Sequence, residues 1–353
     1  MRLTEALRIQ PGTSAALIGA GGKSSALRRL VEELAPQCPV LVTTTTRLAR
    51  EQSDMARHHL VLKTPADLKR VAGLLADHGT LLVTGPLDES EGKWRGLAID
   101  QLTRLHETFE LEAGSREPAA ALLIEADGAR GRSWKAPAPH EPVVPEWVDL
   151  VVPMVGLDVI GQPAGSDLVH RSELAVELLG IAPDAAVSWG EVAKLLGSPR
   201  GGLQGVPAGS EVRVVLNKVD TETRLAAARQ IAGELVRDPR MAAVVIGAVQ
   251  ATPPAMECWG RVGGVVLAGG GSSRLGQPKQ LVEWRGRALV WHAARAALEA
   301  GLAPVVVVTG AEADGVAAAL REEPVVLAYN PRWESGQSAS VVAGLEAVEG
   351  SVE

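Results

Sequence analysis

Nine short apolar runs, spread along the whole chain, restrict its fold more than any other feature. They occupy residues 15–18, 40–43, 81–84, 121–125, 150–155, 212–216, 244–246, 265–267 and 305–308. A strand with one wet face alternates apolar and polar side chains. These runs are largely apolar throughout, the pattern of parallel strands covered on both faces. Helix-periodic stretches separate them at 24–34, 66–75 and 221–236, and 173–179 with 189–196 reads as a small helical insertion. The predicted class is therefore α/β from end to end. At 353 residues and 46% hydrophobic content the chain can build two cores. Residues 197–209, rich in Gly and Pro, read as a surface loop. The Pro-containing stretch 251–260 reads as a break, which predicts domains over 1–257 and 258–353.

Charge and cysteine usage exclude several function classes. The formal net charge is −7, and residues 261–353 carry 8 Lys+Arg against 10 Asp+Glu, so neither part has the basic footprint of a nucleic-acid binder. The two cysteines, Cys38 and Cys258, cannot form a disulfide framework and suit a reducing compartment. No run of eighteen apolar residues occurs, and the start, Met1-Arg2-Leu3-Thr4-Glu5, lacks a signal-peptide core. The expectation is a cytoplasmic protein without a membrane partner.

Two glycine-rich loops carry the chemistry. In the predicted second domain, strand 265–267 opens into Leu267-Ala268-Gly269-Gly270-Gly271-Ser272-Ser273-Arg274-Leu275-Gly276-Gln277-Pro278-Lys279-Gln280-Leu281. Three successive glycines expose backbone N–H groups with no Cβ in the way, and Arg274 and Lys279 add positive charge for the same anion. A polyphosphate fits that combination. In the first domain, Gly19-Ala20-Gly21-Gly22-Lys23-Ser24 follows a strand and opens a helix, so Lys23 and helix-end amides surround one anion while Ser24 can hold Mg²⁺. The full G-x-x-x-x-G-K-[ST] spacing fails at Leu17; the shortened G-x-x-G-K-[ST] form, as in Mur ligases, is satisfied.

Two further strand ends support a nucleotide reading of the first domain. Residues 122–128 form an apolar run ending in Glu125, Asp127 and Gly128, the arrangement that places a carboxylate beside a phosphate-bound Mg²⁺. Either acid can be the metal-facing one, and an acid that merely ends a strand in solvent is the competing reading. Asn217-Lys218-Val219-Asp220 gives N-K-x-D after another strand, a spacing that selects guanine in GTPases. The hydroxyl run Thr43–Thr46 and the Pro-rich segment with Lys135 and His140 flank the same region, the latter as a loop able to close over a substrate.

The second loop resembles the MobA-like nucleotidyltransferases, in the molybdenum cofactor cytidylyltransferase branch. The family signature L-A-x-G-x-S-x-R-[ML]-G-x-x-K-x-L matches Leu267 through Leu281, and N-P-x-W-x-x-G-x-S-x-S matches Asn330 through Ser340. The resemblance implies a Rossmann-like domain in which Leu267–Ser272 and Asn330 bind CTP, and Arg274 and Lys279 stabilise transfer of a nucleotidyl group to molybdopterin cofactor. It also implies that the Mg²⁺-binding half of that fold lies outside these residues. The first domain resembles the YqeC family of selenium-dependent hydroxylase accessory proteins, through G-A-G-G-K-S-S, Val42–Leu48, Glu125–Ala129, Lys135–Pro142 and Val155–Asp158. That likeness implies a P-loop-like domain binding GTP or ATP, with Gly19, Gly21, Gly22 and Lys23 on phosphates, Asn217, Lys218 and Asp220 on the base, and Ser24 with Glu125 or Asp127 on Mg²⁺. The implied role is maturation of a client molybdenum hydroxylase. A non-catalytic, nucleotide-switched carrier is the alternative. A sugar-phosphate nucleotidyltransferase shares the glycine loop but accounts for neither the Asn330–Ser340 block nor the first domain.

Overall fold

The computed structural model describes residues 1–113, 119–272 and 275–348, and of 108–113 the backbone only. The chain divides into two compact units, Met1–Trp259 and Gly260–Glu353.

The first unit is built on one large sheet. Its strands are β1 (Ser14–Gly19), β2 (Val40–Thr44), β3 (His58–Val61), β4 (Thr80–Thr84), β5 (Ala121–Glu125), β6 (Leu150–Gly156), β7 (Glu211–Asn217), β8 (Ala243–Gly247) and β9 (Ala255–Gly260). They lie in the order β9-β8-β7-β6-β1-β5-β2-β4-β3. Every pairing from β8 to β3 is parallel. The apolar runs explain this arrangement. Ala15 and Leu17 of β1 pack on one face with Leu27, Leu30 and Leu34, while Ala16 and Ile18 pack on the other with Leu75, Leu102 and Leu105. A strand buried on both faces cannot afford a polar alternation.

The helix after β1, α2 (Lys23–Leu34), buries Ala26, Leu27, Leu30, Val31 and Leu34, a stripe at helical spacing. Each of its fully buried leucines contributes about 1.5–3 kcal/mol of transfer free energy. Gly22 caps its start at φ +119°, a conformation that a side chain resists. A second core, around Val192, Leu196, Ile231 and Leu235, covers the sheet on the β6–β8 side. It is supplied by the helices Ser172–Leu179, Trp189–Leu196 and Glu222–Leu235, which fall where helical spacing placed them. The stretch read as one helix over 66–75 is instead a 3₁₀ segment, Pro65–Arg70, followed by the α-helix Val71–His78. The stretch read as an inter-domain break contains the edge strand β9.

The second unit has a three-stranded parallel sheet, β10 (Gly264–Leu267), β11 (Val305–Thr309) and β12 (Val326–Tyr329), paired in that order. The crossover helix Leu289–Glu299 joins the first two. A further helix, Gln337–Val348, packs closely enough on the sheet that a Cβ on Gly344 would lie 2.4 Å from a Val265 methyl. Among the described residues no helix is long and apolar enough to cross a membrane.

Candidate functional site

In the first unit, parallel pairing brings four neighbouring strand ends to one edge. Gly19 of β1 pairs with Met154, Leu17 with Glu125 of β5, and Gly156 of β6 with Asn217 of β7. The carboxyl edge of an open parallel sheet is where such folds take ligands. Gly19, Lys23, Glu125, Asp127 and Asn217 thus meet there, although the sequence spreads them over some 200 positions.

The glycine loop is clamped from three sides. The Gly19 N–H donates to Asp127 Oδ2 (2.9 Å), Ala20 to the Met154 carbonyl (2.9 Å) and Gly21 to the Arg132 carbonyl (2.9 Å). The Gly19 and Gly21 amides, which the resemblance assigned to phosphates, are therefore already engaged. Those of Gly22, Lys23, Ser24 and Ser25 precede the first intrahelical bond, Ala26 N–H to the Gly22 carbonyl, and they form the open end of α2. The loop's glycines are required sterically: a Cβ on Gly21 would lie 2.1 Å from Gly156 N, and one on Gly22 2.5 Å from Asn217 Nδ2.

Lys23 is buried, at 4% exposure. Its ammonium donates to the Gly19 carbonyl (2.5 Å) and stands 3.0 Å from Asp127 Oδ1, close enough for an ion pair but outside hydrogen-bond directionality. Asp127 Oδ2 forms an ion pair with Lys135 as well (2.9 Å). Lys135, read in the sequence as part of a closing loop, is buried instead. Its ammonium donates to the Gly128 carbonyl (2.8 Å) and Glu141 Oε2 (2.8 Å) and stands beside Asp127. Arg171 then grips both Glu141 oxygens at 2.8 and 3.0 Å. His140 of the same segment is exposed.

The two acids left open by the sequence separate in this geometry. Asp127 is compensated by two lysine ammonium groups and accepts one amide. Glu125 is 8% exposed and, among the described residues, its carboxylate takes one long bond, from Ser24 Oγ at 3.4 Å. Burial raises its pKa; Lys23 opposes that rise and Asp127 adds to it. A buried, under-bonded carboxylate beside a serine hydroxyl is an oxygen set that fits a hard divalent cation. Gln52 Nε2 donates to Ser24 Oγ at 2.5 Å and orients that hydroxyl, a role no sequence signal announced.

The N-K-x-D residues are placed differently from one another. Asn217 is buried and spends its carboxamide on the backbone, donating to the Gly21 carbonyl (2.6 Å) and accepting from the Val249 N–H (2.9 Å). It ties the glycine loop to β7. Lys218 turns to Asp158 Oδ2 and Ser133 Oγ, both at 2.8 Å. Asp220 is exposed and paired with Arg224. The hydroxyls of Thr43 and Thr44 also serve the fold, donating to the Val83 carbonyl (2.9 Å) and the Glu125 carbonyl (3.0 Å). A cavity of about 20 Å³ beside Gly19, Asp127 and Lys135 has room for one water and none for a nucleotide.

In the second unit the loop after β10 is braced by Gln280, whose Nε2 donates to the Gly270 carbonyl (3.1 Å) and whose Oε1 accepts from Ser272 Oγ (3.3 Å). Ser272 Oγ accepts the Lys279 N–H (2.9 Å). The Lys279 side chain is exposed, as is Leu267, while Ala268 is buried. Gly270 faces open space, whereas Gly271 lies against the Trp333 ring, where a Cβ would approach to 3.1 Å. Asn330 is buried with its Nδ2 on Ser340 Oγ (3.0 Å). The two sequence blocks thus pack together through Trp333. Arg274 lies outside the described residues.

Comparison with known proteins supplies the lineage of both units. The family model for YqeC protein matches residues 15–173, and that for the MobA-like NTP transferase domain matches 264–352. The chain is 30% identical over 205 residues to the protein YqeC of Escherichia coli (strain K12), which covers 56% of this chain and 72% of that one. It is 45% identical over 84 residues to the nicotine blue oxidoreductase of Paenarthrobacter nicotinovorans, 24% of this chain and 41% of the relative. It is 34% identical over 86 residues to the probable molybdenum cofactor guanylyltransferase of Bacillus cereus (strain ZK / E33L), 24% of this chain and 42% of the relative. The chain spans less than half the length of these last two. It therefore belongs to the YqeC family, and a MobA-like NTP transferase domain match follows its YqeC portion.

Proposed function

We propose that this protein serves molybdenum cofactor chemistry, with a purine nucleotide bound by the first unit and a nucleotidyl-transfer site in the second. The observation that carries the reading is the meeting of Lys23, the open amides of Gly22–Ser25, Ser24 and Glu125 at the carboxyl edge of one parallel sheet. The helix end and Lys23 supply positive potential for the phosphates of GTP or ATP. Ser24 and Glu125 would hold Mg²⁺, whose charge offsets that of the phosphate oxygens. Two protein oxygens leave the rest of the cation's shell to phosphate and water, the usual mode for this ion.

In the second unit the amides around Gly270, with Lys279 and Arg274, would receive the triphosphate of CTP. A phosphate oxygen of molybdopterin cofactor attacks the α-phosphorus, and the bond to pyrophosphate breaks. The chain's part is to orient the two phosphates and offset charge on the leaving group. The relatives named as guanylyltransferases make GTP the competing donor. The product would load a selenium-dependent molybdenum hydroxylase as client, in the cytoplasm. The test is pyrophosphate release from CTP and cofactor by this protein. Release should be lost in Lys279→Ala, and turnover that survives this change removes the assignment. Because one relative is named an oxidoreductase, a reduced nicotinamide nucleotide is the control, and its preference over CTP and GTP overturns the transferase reading.

A second reading, a nucleotide-switched carrier without turnover, is favoured by one observation: Lys23 is held on Asp127 rather than standing open. Nucleotide-dependent affinity for a client, with no pyrophosphate released, distinguishes it.

A further inference from the structure

We propose that Lys135 is a positioning residue that frees Lys23 to engage a phosphate. The inference rests on the nucleotide-binding reading of the first unit. It concerns why a buried lysine can leave its carboxylate at all. Lys23 and Asp127 are each almost wholly buried, at 4% and 2% side-chain exposure. Were they alone, removing the ammonium would strand a buried carboxylate, which is strongly unfavourable. They are not alone. Asp127 Oδ2 keeps the Lys135 ammonium at 2.9 Å and the Gly19 N–H at 2.9 Å whatever Lys23 does. The Lys23 contact falls on the other oxygen, Oδ1, which accepts no hydrogen bond. Moving Lys23 thus breaks its bond to the Gly19 carbonyl and one ion pair, while Asp127 keeps the Gly19 N–H bond and the Lys135 ion pair.

Lys135 suits this role and no direct one. Its ammonium donates to the Gly128 carbonyl and Glu141 and forms an ion pair with Asp127, so it is engaged on three sides within the protein. It is fixed from behind by Glu141, itself gripped by Arg171. The alternating chain Lys23–Asp127–Lys135–Glu141–Arg171 holds Asp127 compensated by one lysine while the other moves.

The test is titration of the full chain with Mg²⁺ and GTP or ATP, scoring the binding that Lys23→Ala abolishes. Lys135→Gln should weaken that binding at least about tenfold, because Lys23 becomes the sole cation on Asp127. Adding Asp127→Asn to Lys135→Gln should restore it, since the carboxylate that retains Lys23 is gone. A purely structural Lys135 gives no such restoration. Equal binding by wild type and Lys135→Gln overturns the inference, as does a folded double variant that binds no better than Lys135→Gln. If Lys135→Gln does not fold, Asp127→Asn alone decides: binding as tight as wild type or tighter is expected, and weaker binding overturns the inference. Absence of Lys23-dependent binding in the wild type defeats the nucleotide reading itself, a separate and recognisable failure.

Discussion

Glu125 and Asp127 stand two residues apart at one strand end, and the protein treats them in opposite ways. Asp127 has two ammonium neighbours; Glu125 has a serine hydroxyl at the limit of bonding distance. Replacing Glu125 with Gln removes a buried charge whose ionised form burial disfavours. Thermal stability at neutral pH should be unchanged or raised, while the Mg²⁺ dependence of nucleotide binding is lost. Calorimetry with and without chelator checks both. A pH dependence follows from the charges behind Lys135. Burial, and then Arg171 and Lys135, push His170 down to about 4. For Glu141, burial acts upward but is outweighed by Arg171 and Lys135, leaving it at about 2. Both folded values lie below the unfolded ones, so the unfolded chain binds more protons and stability falls as pH drops. The His170 share goes between the ordinary histidine value of 6.5 and about 4, and the Glu141 share between 4.5 and about 2. Melting temperature against pH should lose the upper step in His170→Gln and the lower step in Glu141→Gln. The sequence exposed Lys23, Ser24, Glu125 and Asp127 because their spacing from strand ends is local. It could not reveal Gln52 or Arg171, which arrive from separate segments and belong to no local pattern, nor that Asn217 spends its amide on the backbone.

At the scale of elements, the glycine loop depends on close approach more than on glycine's flexibility as such. Gly21→Ala places a methyl 2.1 Å from the Gly156 nitrogen at φ +81°, and neither backbone can retreat without disturbing β1 or β6. A loss of several kcal/mol, in the range of severe core substitutions, is expected from denaturant unfolding. Gly92→Ala, at φ +64° in open space, is the control and should cost only about 1 kcal/mol. All nine apolar runs are strands: burial on both faces writes an unbroken apolar code in eight of them, while 265–267 is half-buried with Leu267 exposed. The strands of four or more residues that escaped notice lie at sheet edges. His58–Val61 begins with two histidines, and Ala255–Gly260 carries Met, Glu and Cys on half-wet faces. An edge has one neighbour and a wetter environment, so its sequence looks like a loop. Val326–Tyr329 is apolar but only four residues long, with most of its side chains exposed.

At the scale of the whole molecule, the first unit carries a closed core on both faces of its sheet, and the second leaves apolar surface in view. Leu267, Val341, Val342 and Leu345 are exposed in that unit. The two units should therefore respond to ligands separately. With Mg²⁺ and GTP at about 100 times the dissociation constant, linkage adds about 2.7 kcal/mol to the unfolding free energy of the unit that binds. That shift should appear in the wild type, survive Lys279→Ala and vanish in Lys23→Ala when thermal unfolding is followed by calorimetry. Fold class and the order of both loops were legible because repeated strand–helix alternation and glycine–lysine spacing are properties of contiguous residues. The ion chain from Lys23 to Arg171 was not, because it exists only once distant strand ends are brought together.

The central claim is that the open end of α2 and Lys23 together receive a nucleotide's phosphates. A crystal structure with Mg²⁺ and a non-hydrolysable GTP or ATP analogue tests it most directly. The expected result is phosphate density over the Gly22–Ser25 amides, with the Lys23 ammonium moved from Asp127 onto a phosphate oxygen and Lys135 still on Asp127. A fully occupied nucleotide elsewhere, with Lys23 unmoved on Asp127 and no density at the helix end, would contradict the account.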